Sequence, residues 1–139
     1  MSAGVIIGYD GSDCAKAALR VAVEIARAYG ERVTIAYGYD VSPIGGQDHD
    51  YLEALRELGT KRLAEALALV GDDAVHVHTI LVEDAPAPAL VRLADEQDAR
   101  VIVVGTRGER PLTGALLGST PHKLLHLSDR PVLVVPAPE

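Results

Sequence analysis

The chain has 139 residues, is 48% hydrophobic and 24% charged, and carries a formal net charge of −7. That length suits one domain, 1–139, built around one core. The acidic balance argues against a general nucleic-acid binder, which needs a basic face. The single cysteine, Cys14, excludes an internal disulfide and a four-cysteine zinc site.

Phe and Trp are absent, so Val, Ile, Leu and Ala must fill the core, a palette suited to buried parallel strands under Ala/Leu-rich helices. The start of the chain has no basic region and only a short apolar run, so no signal peptide is expected. No apolar stretch approaches the roughly 20 residues that span a bilayer. The expected location is cytoplasmic, with no membrane or nucleic-acid partner. The first apolar run, Val5–Tyr9, reads as a strand and ends in Asp10-Gly11-Ser12. Residues 13–29 place Ala15, Ala18, Leu19, Ala22, Ala26 and Tyr29 on one helical stripe, with Ser12 or Asp13 as N-cap and Gly30 as stop. A second strand, Val33–Tyr37, is followed by the long segment Gly38–Asp48. Residues 50–70 form a helical pattern through Leu52, Leu55, Leu58 or Gly59, Leu63, Ala66, Leu67 and Val70. The run Val75–Val82 alternates at its start, so one face of that strand is expected to be wetter than those of the other four strands, which read as buried on both faces. Residues 86–98 hold prolines only in their first turn, where a helix tolerates them. Val101–Val104, a long loop, a short helix over 119–128 and Val132–Val135 complete the chain. Strict β-α alternation with no hairpin signal predicts an α/β fold: an open parallel sheet with helices on both faces and right-handed crossovers.

The loop after the fourth strand carries the chemistry. It reads Gly105-Thr-Arg-Gly108, then nine residues, then Gly118-Ser119-Thr120 at a helix start. Glycines allow tight turning and close backbone approach, and a helix start offers unpaired N–H groups and a positive dipole end to an anion such as phosphate. In open α/β sheets ligands bind beyond the carboxyl ends of the strands where strand order reverses. If the first and fourth strands are neighbours, Asp10 faces this loop and can accept from ribose hydroxyls or hold a water of a magnesium ion. The usual P-loop and the dinucleotide Gly-x-Gly-x-x-Gly are both absent.

Gly105-x2-Gly108-x9-Gly118-Ser119, together with Asp10-Gly11-Ser12 and Pro131-Val-Leu-Val-Val-Pro136, resembles the nucleotide-binding branch of the universal stress protein family over the whole chain. The resemblance implies a Rossmann-like five-stranded sheet of order 3-2-1-4-5 and bound ATP, with Mg. It places phosphates on Gly105, Gly108, Gly118, Ser119 and Thr120, beside Val104, and Asp10 near the ribose and adenine. The backbone around Gly8 and Gly38 lines the base, and Val132–Val135 pairs across a two-fold axis to make a homodimer. Two departures stand out. Gly38 occupies a position where the family often has an apolar residue, implying a thinner wall against adenine. Pro121 lacks an N–H, leaving those of Ser119, Thr120 and His122 at the helix start.

The resemblance implies a regulatory stress-response dimer whose state depends on bound adenine nucleotide. The alternatives are a slow ATPase or adenylate-handling enzyme on the same fold, and a dimeric scaffold that needs no nucleotide. No catalytic set accompanies the glycine motif: there is no general base beside it and no lysine within it, Lys123 being nearest. Arg107 and Arg110 are candidate phosphate clamps. His122/His126 and His76/His78 have paired spacing but no third metal ligand, so no metal site is expected. Cys14, near a helix start, reads as a small buried residue, and Asp48, Asp50 and Asp72-Asp73 as turn and helix-entry residues. A phospho-accepting receiver domain fits least, because no acid precedes Asp10.

Overall fold

The computed structural model describes residues 3–40, 49–71, 75–107 and 117–138. Its elements run β1 (Val5–Gly8), α1 (Asp13–Tyr29), β2 (Val33–Gly38), α2 (His49–Val70), β3 (Val77–Val82), α3 (Pro86–Gln97), β4 (Val101–Gly105), α4 (Ser119–Leu127) and β5 (Val132–Val135). The strands form one parallel sheet in the order β3-β2-β1-β4-β5, as expected.

Alternate side chains of each central strand enter opposite cores. Ile7, Ile35 and Val103 pack with Leu19, Ala22 and Ala26 of α1 and with Leu63 and Ala66 of α2. Ile6, Ala36 and Ile102 pack with Leu90 and Leu93 of α3 and Leu124 of α4. Completely burying a residue such as Ile6 or Ile102 contributes about 1.5–3 kcal/mol relative to leaving it exposed. This explains why unbroken β-branched runs occupy the sheet centre.

Three expectations about burial are corrected. β5 is not buried on both faces: it is an edge strand, and Leu133 is 38% exposed. In α2 the stripe narrows to Gly59, Leu63 and Ala66, with Leu58 and Leu67 outward, because a helix above the outer strands meets the sheet along a narrow line. Tyr29 points outward as well, and its ring lies 3.8 Å beneath the Arg100 guanidinium. Arg100 also pairs with the buried Glu31 carboxylate, which ties the α1–β2 connection to the start of β4.

The ends of α1 follow their local chemistry. Ser12 is the N-cap and its Oγ accepts from the Ala15 amide at 3.1 Å. Gly30 ends the helix in the left-handed conformation. Ser12→Ala is expected to cost about 1 kcal/mol, read as a lower urea midpoint with unchanged slope.

Candidate functional site

Parallel pairing sets β1 beside β4 with Val5 opposite Val101 and Ile7 opposite Val103, so both strands end at the same height. Three segments converge beyond that edge. The turn Asp10-Gly11-Ser12 leads into α1. Gly105-Thr106-Arg107 leaves β4. Leu117-Gly118 leads into α4.

The turn is self-bracing. The Ser12 amide donates to Asp10 Oδ1 at 2.9 Å, holding the half-buried carboxylate across Gly11. Gly11 has φ +88°, a conformation that excludes most other residues. The β4 exit lies against the start of α1: a Cβ on Gly105 would fall 2.5 Å from Cys14 Cβ and 2.8 Å from its backbone carbon. The Cys14 thiol and the Thr106 hydroxyl share a hydrogen bond of 3.3 Å. The third segment is pinned to the second, because the Gly118 amide donates to the Thr106 carbonyl at 2.7 Å.

These pairings sort the backbone donors. The Thr106 amide is committed to the Val135 carbonyl and the Gly118 amide to Thr106. The His122 amide, expected to be available, closes the first helical turn on the Gly118 carbonyl at 3.2 Å, because α4 starts at Ser119 and an i to i−4 bond consumes it. Pro121 has none to give. Among the described residues nothing accepts from the amides of Ser119 and Thr120, the two N–H groups that open α4. An anion at this helix start would therefore meet two aligned donors and the positive end of the helix dipole.

The glycines serve the protein interior as well as any ligand. Gly8 faces Leu90 and Val104, and the Val104 side chain is buried in the core on the α3 side, which leaves only its backbone for the rim. A Cβ on Gly118 would lie 3.0 Å from Arg107 Cα. Gly38 backs onto the Asp84 carbonyl and Pro86 Cα, each 2.9 Å from where its Cβ would be. The wall beside Gly38 is thus occupied by backbone from the β3–α3 turn. Gly108, Arg110, Asp48 and Asp72-Asp73 lie outside the described residues. Arg107 and Lys123 are exposed. His122 and His126 make an edge-on ring contact, and no group of three metal-ligating side chains occurs among the described residues. Sequence reasoning missed Arg62 of α2, whose side chain covers Gly11; no local motif marks that contact.

Cys14 is buried, as expected. Burial works to raise its thiol pKa. Hydrogen bonds from the Thr106 hydroxyl, the backbone of Arg107 and of Ala137, and the Arg107 side chain outweigh that effect and hold it below the ordinary thiol value. A thiol with a lower folded than unfolded pKa adds stability that is full above the unfolded value and is lost as pH falls through the folded one. Relative to Cys14→Ala, the protein should gain stability as pH rises toward the ordinary thiol range near about 8.5. Urea midpoints of both proteins across that range check this.

The family model for the universal stress protein family matches residues 1–136. A universal stress protein of Thermus aquaticus is 36% identical over 137 residues, covering 94% of this chain and 96% of its own. Among solved structures, the universal stress protein of Archaeoglobus fulgidus in complex with dAMP superposes with a TM-score of 0.72 at 27% identity, covering 96% of this chain and 98% of that one. A universal stress protein in complex with cAMP superposes at 0.65 with 32% identity, covering 98% of both chains. The sheet order, the converging turns at its carboxyl edge and the match along nearly the whole sequence agree, and the chain belongs to the universal stress protein family.

Proposed function

We propose that this protein binds ATP at the carboxyl edge of β1 and β4 and acts as a dimeric regulatory protein of the stress response. The observation that carries the reading is the pair of amides of Ser119 and Thr120 at the start of α4, uncommitted among the described residues and held beside the β4 exit by the Gly118–Thr106 bond. Two relatives of the same fold are complexes with dAMP and cAMP, which supports an adenine nucleotide as the anion. Phosphates would rest on the amides of Ser119 and Thr120, beside Val104, Gly105, Gly108 and Gly118, with Asp10 at the ribose and the backbone of Gly8 and Gly38 along the base.

Asp10 has one oxygen committed to Ser12 and its other oxygen without a partner among the described residues. The alternative role for that oxygen is to hold a water of magnesium, an ion that keeps most of its waters and needs only one or two protein ligands. Bound there, the ion would neutralise phosphate charge. The residues themselves bind and orient, and no catalytic set accompanies the glycine motif. Any hydrolysis should be slower than about 1 per second.

β5 supports the dimer reading. Among the described strands it is an edge strand, with a part-exposed apolar side chain, Leu133. The single cysteine fits a reducing cytoplasm, and among the described residues no helix is long and apolar enough to cross a membrane. Purified protein, denatured and analysed by mass spectrometry, should release ATP, and stripped protein should rebind it with micromolar affinity when magnesium is present. Absence of adenine nucleotide in both assays contradicts the proposal.

A further inference from the structure

The β1–α1 turn is held from outside by a residue of another helix. Gly11 has no side chain, and the space its Cβ would occupy is filled by Arg62 of α2. The Arg62 Cδ, Nε and Cζ atoms lie 2.8, 2.9 and 3.0 Å from that point. The flat end of the arginine therefore rests on the bare Cα at the middle of the turn. The side chain is itself confined: it is 24% exposed, and its NH1 donates to Glu65, one turn further along α2, at 3.2 Å. Gly11 sits between the two groups that close the turn, Asp10 Oδ1 and the Ser12 amide.

We propose that Arg62 is a positioning residue for the nucleotide site: by packing on Gly11 it holds the turn in the one geometry that presents the Asp10 carboxylate to the ligand. This rests on the nucleotide reading given above. An arginine suits the role because its planar group can lie flat on a glycine while its charge is anchored elsewhere, here on Glu65. Without it, the left-handed residue at the centre of the turn loses its outer support. Glycine is the residue that most readily leaves one backbone conformation for another. Asp10 would then sample orientations in which its oxygen no longer meets the ribose.

A double-mutant cycle tests the proposal. ATP affinity, with magnesium present, is measured by calorimetry for the wild type, Arg62→Ala, Asp10→Ala and the double variant. Thermal unfolding without nucleotide is measured in parallel. Arg62→Ala should weaken ATP binding about tenfold, within the range of coupled neighbours. In the Asp10→Ala background the same change should matter less than about twofold, because the carboxylate it positions is gone. A purely structural role would lower the melting temperature and leave the affinity of the folded protein at the wild-type value, which overturns the proposal. So does an Arg62 effect of equal size with and without Asp10, or an Asp10→Ala variant that binds like the wild type. A wild type that binds no ATP sinks the nucleotide reading itself, whereas failure of Arg62 alone leaves that reading standing.

Discussion

Gly105→Val is expected to destabilise the protein by about 3 kcal/mol, the upper end of what overpacking a well-packed interior costs. The new Cβ would meet Cys14 Cβ at 2.5 Å and the Cys14 backbone carbon at 2.8 Å. Backbone cannot rotate away as a flexible side chain can, so α1 must lift from β4 or the end of β4 must bend. Either movement separates the Cys14 thiol from Thr106 and parts the β1 turn from the β4 exit. Urea denaturation should show the loss as a lower midpoint with an unchanged slope. A shift corresponding to less than about 0.5 kcal/mol, the usual size of a surface change, would mean that α1 does not seat on β4 as described.

Gly118→Leu is expected to act on binding far more than on stability. Its Cβ would lie 3.0 Å from Arg107 Cα, a milder squeeze than at Gly105, which a shift of a few tenths of an ångström between the α4 start and the β4 exit relieves. The predicted cost to folding is about 1 kcal/mol. The helix start, however, moves with it. Hydrogen bonds to a charged group contribute about 1.5–3 kcal/mol each, so misplacing the Ser119 and Thr120 amides should weaken ATP binding about a hundredfold. Calorimetric titration beside thermal unfolding separates the two effects. Unchanged affinity would mean that the α4 start does not hold the phosphates, and stress-linked function that survives the loss of binding with the fold intact would favour a scaffold that needs no nucleotide.

Much of this architecture is legible from local pattern. Ala15, Ala18, Leu19, Ala22 and Ala26 recur at helical spacing and are buried. Ser12 and Gly30 bound that helix because capping depends on neighbours in sequence. The convergence of Asp10, Gly105 and Gly118 is also foreseeable, since strand order in a parallel α/β sheet sets which turns meet. What pattern does not reveal depends on contacts between distant segments. β5 reads as a buried run, yet its place at the sheet edge leaves Leu133 exposed. The glycines read as openings for a ligand, yet Gly105 is bare for Cys14 and Gly8 for Leu90. His122 is a different case: a helix that starts at Ser119 already implies that its amide closes on the Gly118 carbonyl, a local bond that the reading of His122 as a donor overlooks. Arg62 has no motif at all, because its partner lies in a different element.

Two particular amides are expected to grip a polyanion. Amide proton and nitrogen resonances followed by NMR during titration with magnesium ATP address it directly. The Ser119 and Thr120 amides should show the largest shifts and gain protection from exchange, while the already paired Gly118 and His122 amides change little. Saturating ATP that leaves Ser119 and Thr120 unmoved, or that perturbs another face of the molecule instead, would contradict the account.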